Sequence, residues 1–99
     1  MLHYDRDESA LLTEVKDLVD WEHGATCDIV ERLGKIEGDG LHLKAGYNSL
    51  FAYCTIALEY SDDSAMRRIR AARVLRRYPK ARKLLRERRL TLSAICLLS

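Results

Sequence analysis

Residues 61–77 have the sequence SDDSAMRRIRAARVLRR, and this segment predicts the central helix of the fold. A serine followed by two aspartates typically starts a helix, because the serine caps backbone N–H groups and the aspartates suit the positive end of the helix dipole. Four apolar residues then recur at helical spacing, namely Ala65, Ile69, Ala72 and Leu75. The pattern therefore predicts a helix over 62–77 with one apolar face.

The segment before it, residues 8–36, shows the same periodicity and is acidic. A helix is expected to begin near Asp7 or Ser9, where carboxylates favour a helix start. Its apolar positions begin with Leu11, Leu12, Val15, Leu18 and Val19. The segment is either one long helix or two, and we favour a break or kink near Gly24, because His23-Gly24 resembles a helix C-terminus.

Short elements are expected on both sides of residues 62–77. Residues 37–40, EGDG, end the first helical segment, and residues 41–43 alternate as in a short extended piece. Asn48 or Ser49 then caps a helix. Beyond Pro79, residues 80–88 predict a short basic helix with Ala81, Leu84 and Leu85 on its inner face. A last apolar segment over 92–98, capped by Thr91 or Ser93, must pack back on the core or against another chain.

These elements define the predicted fold class, an all-α bundle of five to six helices in a single domain over residues 1–99. Residues 8–36 form its acidic helical segment and residues 47–99 its basic one. Residues 49–77 predict a helix-turn-helix-like pair, although Glu59 stands where such a turn usually has glycine. The larger aromatic residues are expected in the core, namely Trp21, Tyr47, Phe51, Tyr53 and Tyr60.

Charge is divided unevenly along the 99-residue chain, whose net charge is +2. Residues 1–50 contain five basic and eleven acidic residues, whereas residues 51–99 contain twelve basic and four acidic ones. All twelve basic residues lie between Arg67 and Arg89. This asymmetry indicates either a polyanionic partner or a basic face that docks on the acidic one.

Seven basic residues are the candidate nucleic-acid contacts: Arg67, Arg70, Arg73, Arg77, Lys80, Arg82 and Lys83. The four arginines fall within an arc of about 120° on the helix over 62–77. Arginine is suited to this role because its planar guanidinium grips phosphates and guanine edges in a bidentate way. Arg68 and Arg76 flank the apolar face and are expected to be packed or paired. Tyr78 is a further candidate for a nucleic-acid contact.

No catalytic, metal-binding or cofactor-binding pattern stands out, so an enzyme is not expected. The histidines, at 3, 23 and 42, are scattered, and no phosphate-binding glycine loop or small-molecule site is evident. The cysteines, at 27, 54 and 96, form no CxxC pair and are expected to be free thiols. Free thiols, no apparent signal peptide and no transmembrane run predict a cytoplasmic protein without a membrane partner.

Several ordered stretches carry a family resemblance: GYNSLFAYC at 46–54, YSDDSAMRRIRAAR at 60–73, YP at 78–79 and RLTLSA at 89–94. This part of the chain resembles the helical region that precedes the nuclease module in bacterial HNH endonuclease-like proteins. The resemblance implies a helical, DNA-engaging accessory part. The family's His-Asn-His metal site has no counterpart in this sequence, so nuclease activity is not implied.

Two functional hypotheses follow from the sequence. The first is a non-catalytic module that binds nucleic acid, most naturally DNA, through the seven candidate residues. The alternative is a protein-interaction module or homodimer, suggested by the apolar segment 92–98 and by the opposite charges of the two halves. The direction in which the arginines of residues 67–89 point discriminates between an open basic face and a self-paired one.

Overall fold

The computed structural model describes residues 6–98, and this part of the chain contains six helices. They are α1 (Arg6–Asp39), α2 (Leu41–Lys44), α3 (Leu50–Ala52, continued by a π-helical turn, Tyr53–Ala57), α4 (Asp62–Arg77), α5 (Ala81–Arg86) and α6 (Leu92–Leu98). No strand occurs in the described range. The predicted all-α class is therefore confirmed.

The predicted break near Gly24 is wrong, because α1 runs without interruption for 34 residues. Glycine is only moderately unfavourable inside a helix, and apolar contacts on the following turns outweigh that cost. The buried residues of α1 are Cys27, Val30, Leu33 and Gly34, all beyond Gly24. At 1.5 Å per residue α1 is about 51 Å long, which accounts for the longest dimension of the molecule, 54 Å.

We expect Gly24→Ala to raise the free energy of unfolding by about 0.5–1 kcal/mol, because alanine restricts the unfolded chain and favours the helix. A Cβ atom at Gly24 would meet nothing within 4 Å. Gly34→Ala is the matched control, since its Cβ would lie 3.0 Å from Cγ of Arg76. Denaturant unfolding of both variants checks this, and a destabilised Gly24→Ala would mean that α1 is not continuous in solution.

The 22 residues between α1 and α4 are mostly helical. The prediction of an extended piece at residues 41–43 is wrong, because these residues belong to α2. Gly40, the residue before α2, has the left-handed backbone conformation, with φ 68°. Ser49 caps α3 by accepting a hydrogen bond from the backbone N–H of Ala52 at 3.0 Å. The Thr55 hydroxyl donates to the backbone oxygen of Phe51, at 3.0 Å, where the π-helical turn widens the helix.

Helix α4 lies at the centre of the fold and contacts α1, α3, α5 and α6. Its predicted bounds and its Ser61 cap are confirmed: the Ser61 side chain accepts from the backbone N–H of Ser64 at 3.2 Å. The predicted apolar face is buried, and Ala71, which borders this face one turn before Leu75, is buried as well. Small residues allow close approach to α1, because Gly34 lies against the aliphatic stem of Arg76.

The C-terminal segments pack back on this centre. Helix α5 buries Ala81 and Leu85, whereas Leu84, predicted to lie inside, is 36% exposed. The side chain of Thr91 caps α6 by accepting from the backbone N–H of Ala94 at 3.0 Å. Ile95 of α6 is fully buried against the core, so the last apolar segment takes the first of its two predicted places.

The first part of α1 extends beyond the core as an arm, defined as residues 6–22, and every residue of the arm is exposed. Trp21, predicted in the core, is 73% exposed, and that prediction is wrong. The other aromatic residues predicted in the core, Tyr47, Phe51, Tyr53 and Tyr60, are half-buried. In the range that the structure covers, no helix combines the length and the apolar character needed to cross a bilayer.

Candidate nucleic-acid interface

The candidate arginines on α4 divide between two surroundings. Arg73 faces α1 and makes a bidentate contact with Glu37, through Nε at 3.1 Å and Nη2 at 2.8 Å. Arg76 lies 3.7 Å from the same carboxylate. The hydrogen bond from Arg73 lowers the pKa of Glu37 and raises that of Arg73. Glu37 therefore holds Arg73 and Arg76 against α1.

Two more guanidinium groups, both C-terminal to α4, are bound to carboxylates of α1. Nη2 of Arg86 donates to Asp28 at 2.6 Å and also contacts Glu31. Nη2 of Arg88 donates to Asp20 at 2.7 Å. The hydrogen bond from Arg86 lowers the pKa of Asp28 and raises that of Arg86. The acidic helix thus neutralises part of the basic segment within the molecule.

Five of the seven candidate residues stay exposed without an ion pair to any carboxylate of residues 6–98: Arg67, Arg70, Arg77, Lys80 and Arg82. The other two are paired, Arg73 with Glu37 and Lys83 with Glu87, the latter at 3.8 Å on one exposed turn. The basic charge is consequently partly open and partly self-paired. We call the five unpaired residues the basic surface.

Aromatic rings contact two of the neighbouring arginines. The guanidinium of Arg68 lies over the Tyr60 ring, 4.5 Å from its centroid, and Nη1 donates to the backbone oxygen of Ser64. This packing confirms the expectation that Arg68 is held at the edge of the apolar face. Arg77 lies 5.8 Å from the centroid of Tyr78, which is 57% exposed. Tyr78 is therefore placed beside an unpaired cation.

The turn before α4 is strained at the position that the sequence marks as unusual. Glu59 has φ 60°, in the left-handed region that favours glycine. Backbone N–H groups of Leu58 and Tyr60 nevertheless find acceptors, the oxygens of Tyr53 and Cys54, at 3.2 and 3.1 Å. A short connection of glycine-like geometry thus joins α3 to α4, with glutamate in place of glycine.

Sequence reasoning missed a histidine–cysteine contact on α1. Nε2 of His23 lies 3.7 Å from Sγ of Cys27 and 3.0 Å from the backbone oxygen of Leu85. Their spacing of four residues on one helix is the signal that predicts such a contact. The pair is structural, because burial raises the pKa of Cys27 and the thiol is 1% exposed. His23 instead joins α1 to the end of α5.

An apolar groove of about 360 Å³ adjoins this contact, where the arm leaves the core. Its walls come from α1 (Val19, Glu22, His23, Thr26, Cys27) and from the α5–α6 region (Leu85, Arg88, Leu90, Thr91, Leu92).

Among the residues described, no three His, Cys, Asp or Glu side chains come together as metal ligands. Comparisons of the chain with protein-family models, curated proteins and solved structures found no match.

Proposed function

We propose that this chain is a non-catalytic module that binds nucleic acid, most naturally duplex DNA, through the basic surface. The observation that carries the proposal is that Arg67, Arg70, Arg77, Lys80 and Arg82 keep exposed positive charge after folding, although acids are plentiful on α1. Basic side chains without carboxylate partners attract phosphates, and releasing the counterions of those phosphates drives binding.

The arrangement of the arginines on α4 suits contact with the phosphate backbone. Arg67, Arg70 and Arg77 lie within an arc of about 80° and span about 15 Å along the helix. Arg73 lies at the edge of this row and forms an ion pair with Glu37. Lys80 and Arg82, both exposed, follow α4 in the chain, and Arg82 lines a surface pocket together with Arg76, Glu31 and Asp39. A row of this length meets several phosphates at once.

The charge at the start of α4 favours backbone contact over base recognition. In helix-turn-helix proteins the N-terminal residues of the second helix contact base edges in the major groove. Here that first turn carries Asp62 and Asp63, whose carboxylates repel phosphates. Helix α4 therefore contacts DNA through Arg67, Arg70 and Arg77, which lie beyond that first turn, and binding is expected to depend little on the DNA sequence.

The resemblance of residues 46–94 to the region that precedes the nuclease module of HNH endonuclease-like proteins supports a DNA-engaging role. Such a role requires affinity for the duplex and no chemistry of its own. The exposed ring of Tyr78, with the Arg77 guanidinium 5.8 Å from its centroid, adds a surface on which an unpaired base can stack. Single-stranded nucleic acid is therefore the second ligand to test.

We expect the affinity for a short DNA duplex to fall steeply with salt. Five phosphate contacts correspond to a slope of about −4.5 in log K against log salt, or roughly a 500-fold loss between about 50 and 200 mM. Fluorescence anisotropy with a labelled duplex, and with its separated strands, measures this dependence. Absence of binding at low salt contradicts the proposal, as does an affinity that salt leaves unchanged.

A further inference from the structure

The arm of α1 carries an apolar stripe with no partner in the described part of the chain. The stripe consists of Leu11, Leu12, Val15, Leu18 and Val19, each between 51% and 64% exposed. At 100° per residue these five side chains lie within an arc of about 120°. Helices of this length gain most of their stability from packing of an apolar face. The arm is therefore an amphipathic helix whose apolar face is suited to binding a partner.

The stripe continues into the apolar groove at the base of the arm. Val19 and Glu22 belong both to the arm and to the wall of the groove, whose far side is Leu85, Leu90 and Leu92. From Leu11 to Thr26 the combined surface is about 23 Å long, the length of an α-helix of about 15 residues. The surface therefore fits one amphipathic helix of about four turns.

Charge decides which helix fits. Residues 6–22 contain six acidic and two basic residues, a formal net charge of −4, and one of these acids, Asp20, is paired with Arg88 of the groove wall. Glu8 and Glu22 stand at the two ends of the stripe, within about 20° of its centre line. A second arm would bring two acidic helices together in parallel or antiparallel pairing, and like charges disfavour that contact. A helix with lysine or arginine beside its apolar stripe meets opposite charge instead.

We propose that the arm and its groove are the docking site for a basic amphipathic helix of a partner protein. A membrane surface fits less well, because interfacial helices carry lysine and arginine on their polar face, whereas the arm is acidic and is repelled by anionic lipids. The site lies on α1 and the α5–α6 region and includes none of the five residues of the basic surface, so it is independent of the proposed nucleic-acid binding.

The test uses the full chain and two synthetic helices of about 15 residues with the same leucine stripe, one flanked by lysine and the other by glutamate. Trp21, the single tryptophan, lies beside Leu18 of the stripe and is 73% exposed, so docking should shift its fluorescence to shorter wavelength. We expect the basic helix to bind at least about tenfold more tightly than the acidic one.

Paired variants locate the binding. Leu11→Gln/Leu18→Gln should weaken binding of the basic helix at least about tenfold, whereas Leu43→Gln/Leu97→Gln, also at exposed leucines, should leave it unchanged. The arm variant should keep its duplex affinity, which separates this proposal from the previous one. Equal binding of both helices, or no binding, overturns the proposal.

Two further outcomes overturn it in favour of another occupant. Sedimentation that shows a wild-type dimer, lost in Leu11→Gln/Leu18→Gln, assigns the arm to a second copy of the chain. A shift of Trp21 fluorescence with vesicles of phosphatidylcholine and phosphatidylglycerol, without binding of the basic helix, assigns it to a lipid surface. A monomer that ignores vesicles and binds the basic helix supports the proposal.

Discussion

Leu75→Ala is expected to lower the free energy of unfolding by about 2–5 kcal/mol, because truncating a buried leucine loses its transfer free energy and leaves a cavity. Leu75 is 2% exposed on α4, which contacts α1, α3, α5 and α6. A domain of this size is stabilised by only about 5–15 kcal/mol in total. Denaturant unfolding followed by far-ultraviolet circular dichroism measures the loss.

The matched control is the same substitution on the arm. Leu18 is 64% exposed, so Leu18→Ala removes little buried surface and should change the free energy of unfolding by less than about 0.5 kcal/mol. A loss at Leu18 as large as that at Leu75 would mean that the arm is covered in solution, and would contradict the division into core and arm.

Arg70→Gln/Arg77→Gln is expected to weaken duplex binding roughly 100-fold at low salt, since each lost charge-assisted contact with a phosphate is worth about tenfold in affinity. The magnitude of the salt slope should also fall by about two, because two fewer counterions are released. Neither residue pairs with a carboxylate within residues 6–98, so the fold should be unaffected.

Arg86→Gln/Arg88→Gln makes the same change in net charge at two guanidinium groups that α1 already binds. This control should keep most of the duplex affinity, provided that circular dichroism shows it folded. If both double variants lose affinity equally, net charge governs binding and the basic surface has no special role. The two double variants thus distinguish exposed arginines without a carboxylate partner from arginines that pair with carboxylates of α1.

Much of the fold was predictable because the local signals were strong. Ser61 with Asp62 and Asp63 predicts the start of α4, and Ser49 and Thr91 are each one of the two caps that the sequence offers for their helices. The predictions that were wrong concern residues at which tertiary packing outweighs the local sequence preference. Gly24 resembles a helix stop, yet α1 continues because its later turns are anchored in the core. Trp21 is a large apolar residue of the kind that usually lies in a core, but it precedes the turns of α1 that pack on the core.

The candidate interface was only partly predictable. Helical periodicity placed the arginines of α4 on one arc, but it does not say which of them an acidic helix distant in sequence will reach. Arg73 and Glu37 are 36 residues apart, and Arg88 and Asp20 are 68 apart. The exposure of the arm could not be predicted either, because its apolar residues have the same spacing as those of a helix that packs on a core.

DNA binding by this chain requires that positive charge on α4 and α5 stays available to a partner after folding. Nuclear magnetic resonance of the isotope-labelled chain, titrated with a short DNA duplex at low salt, shows which residues meet the DNA. We expect the shifted backbone amides to cluster in residues 67–82, while those of residues 8–19 stay in place. Amides that do not move, or changes centred on the arm, would contradict it.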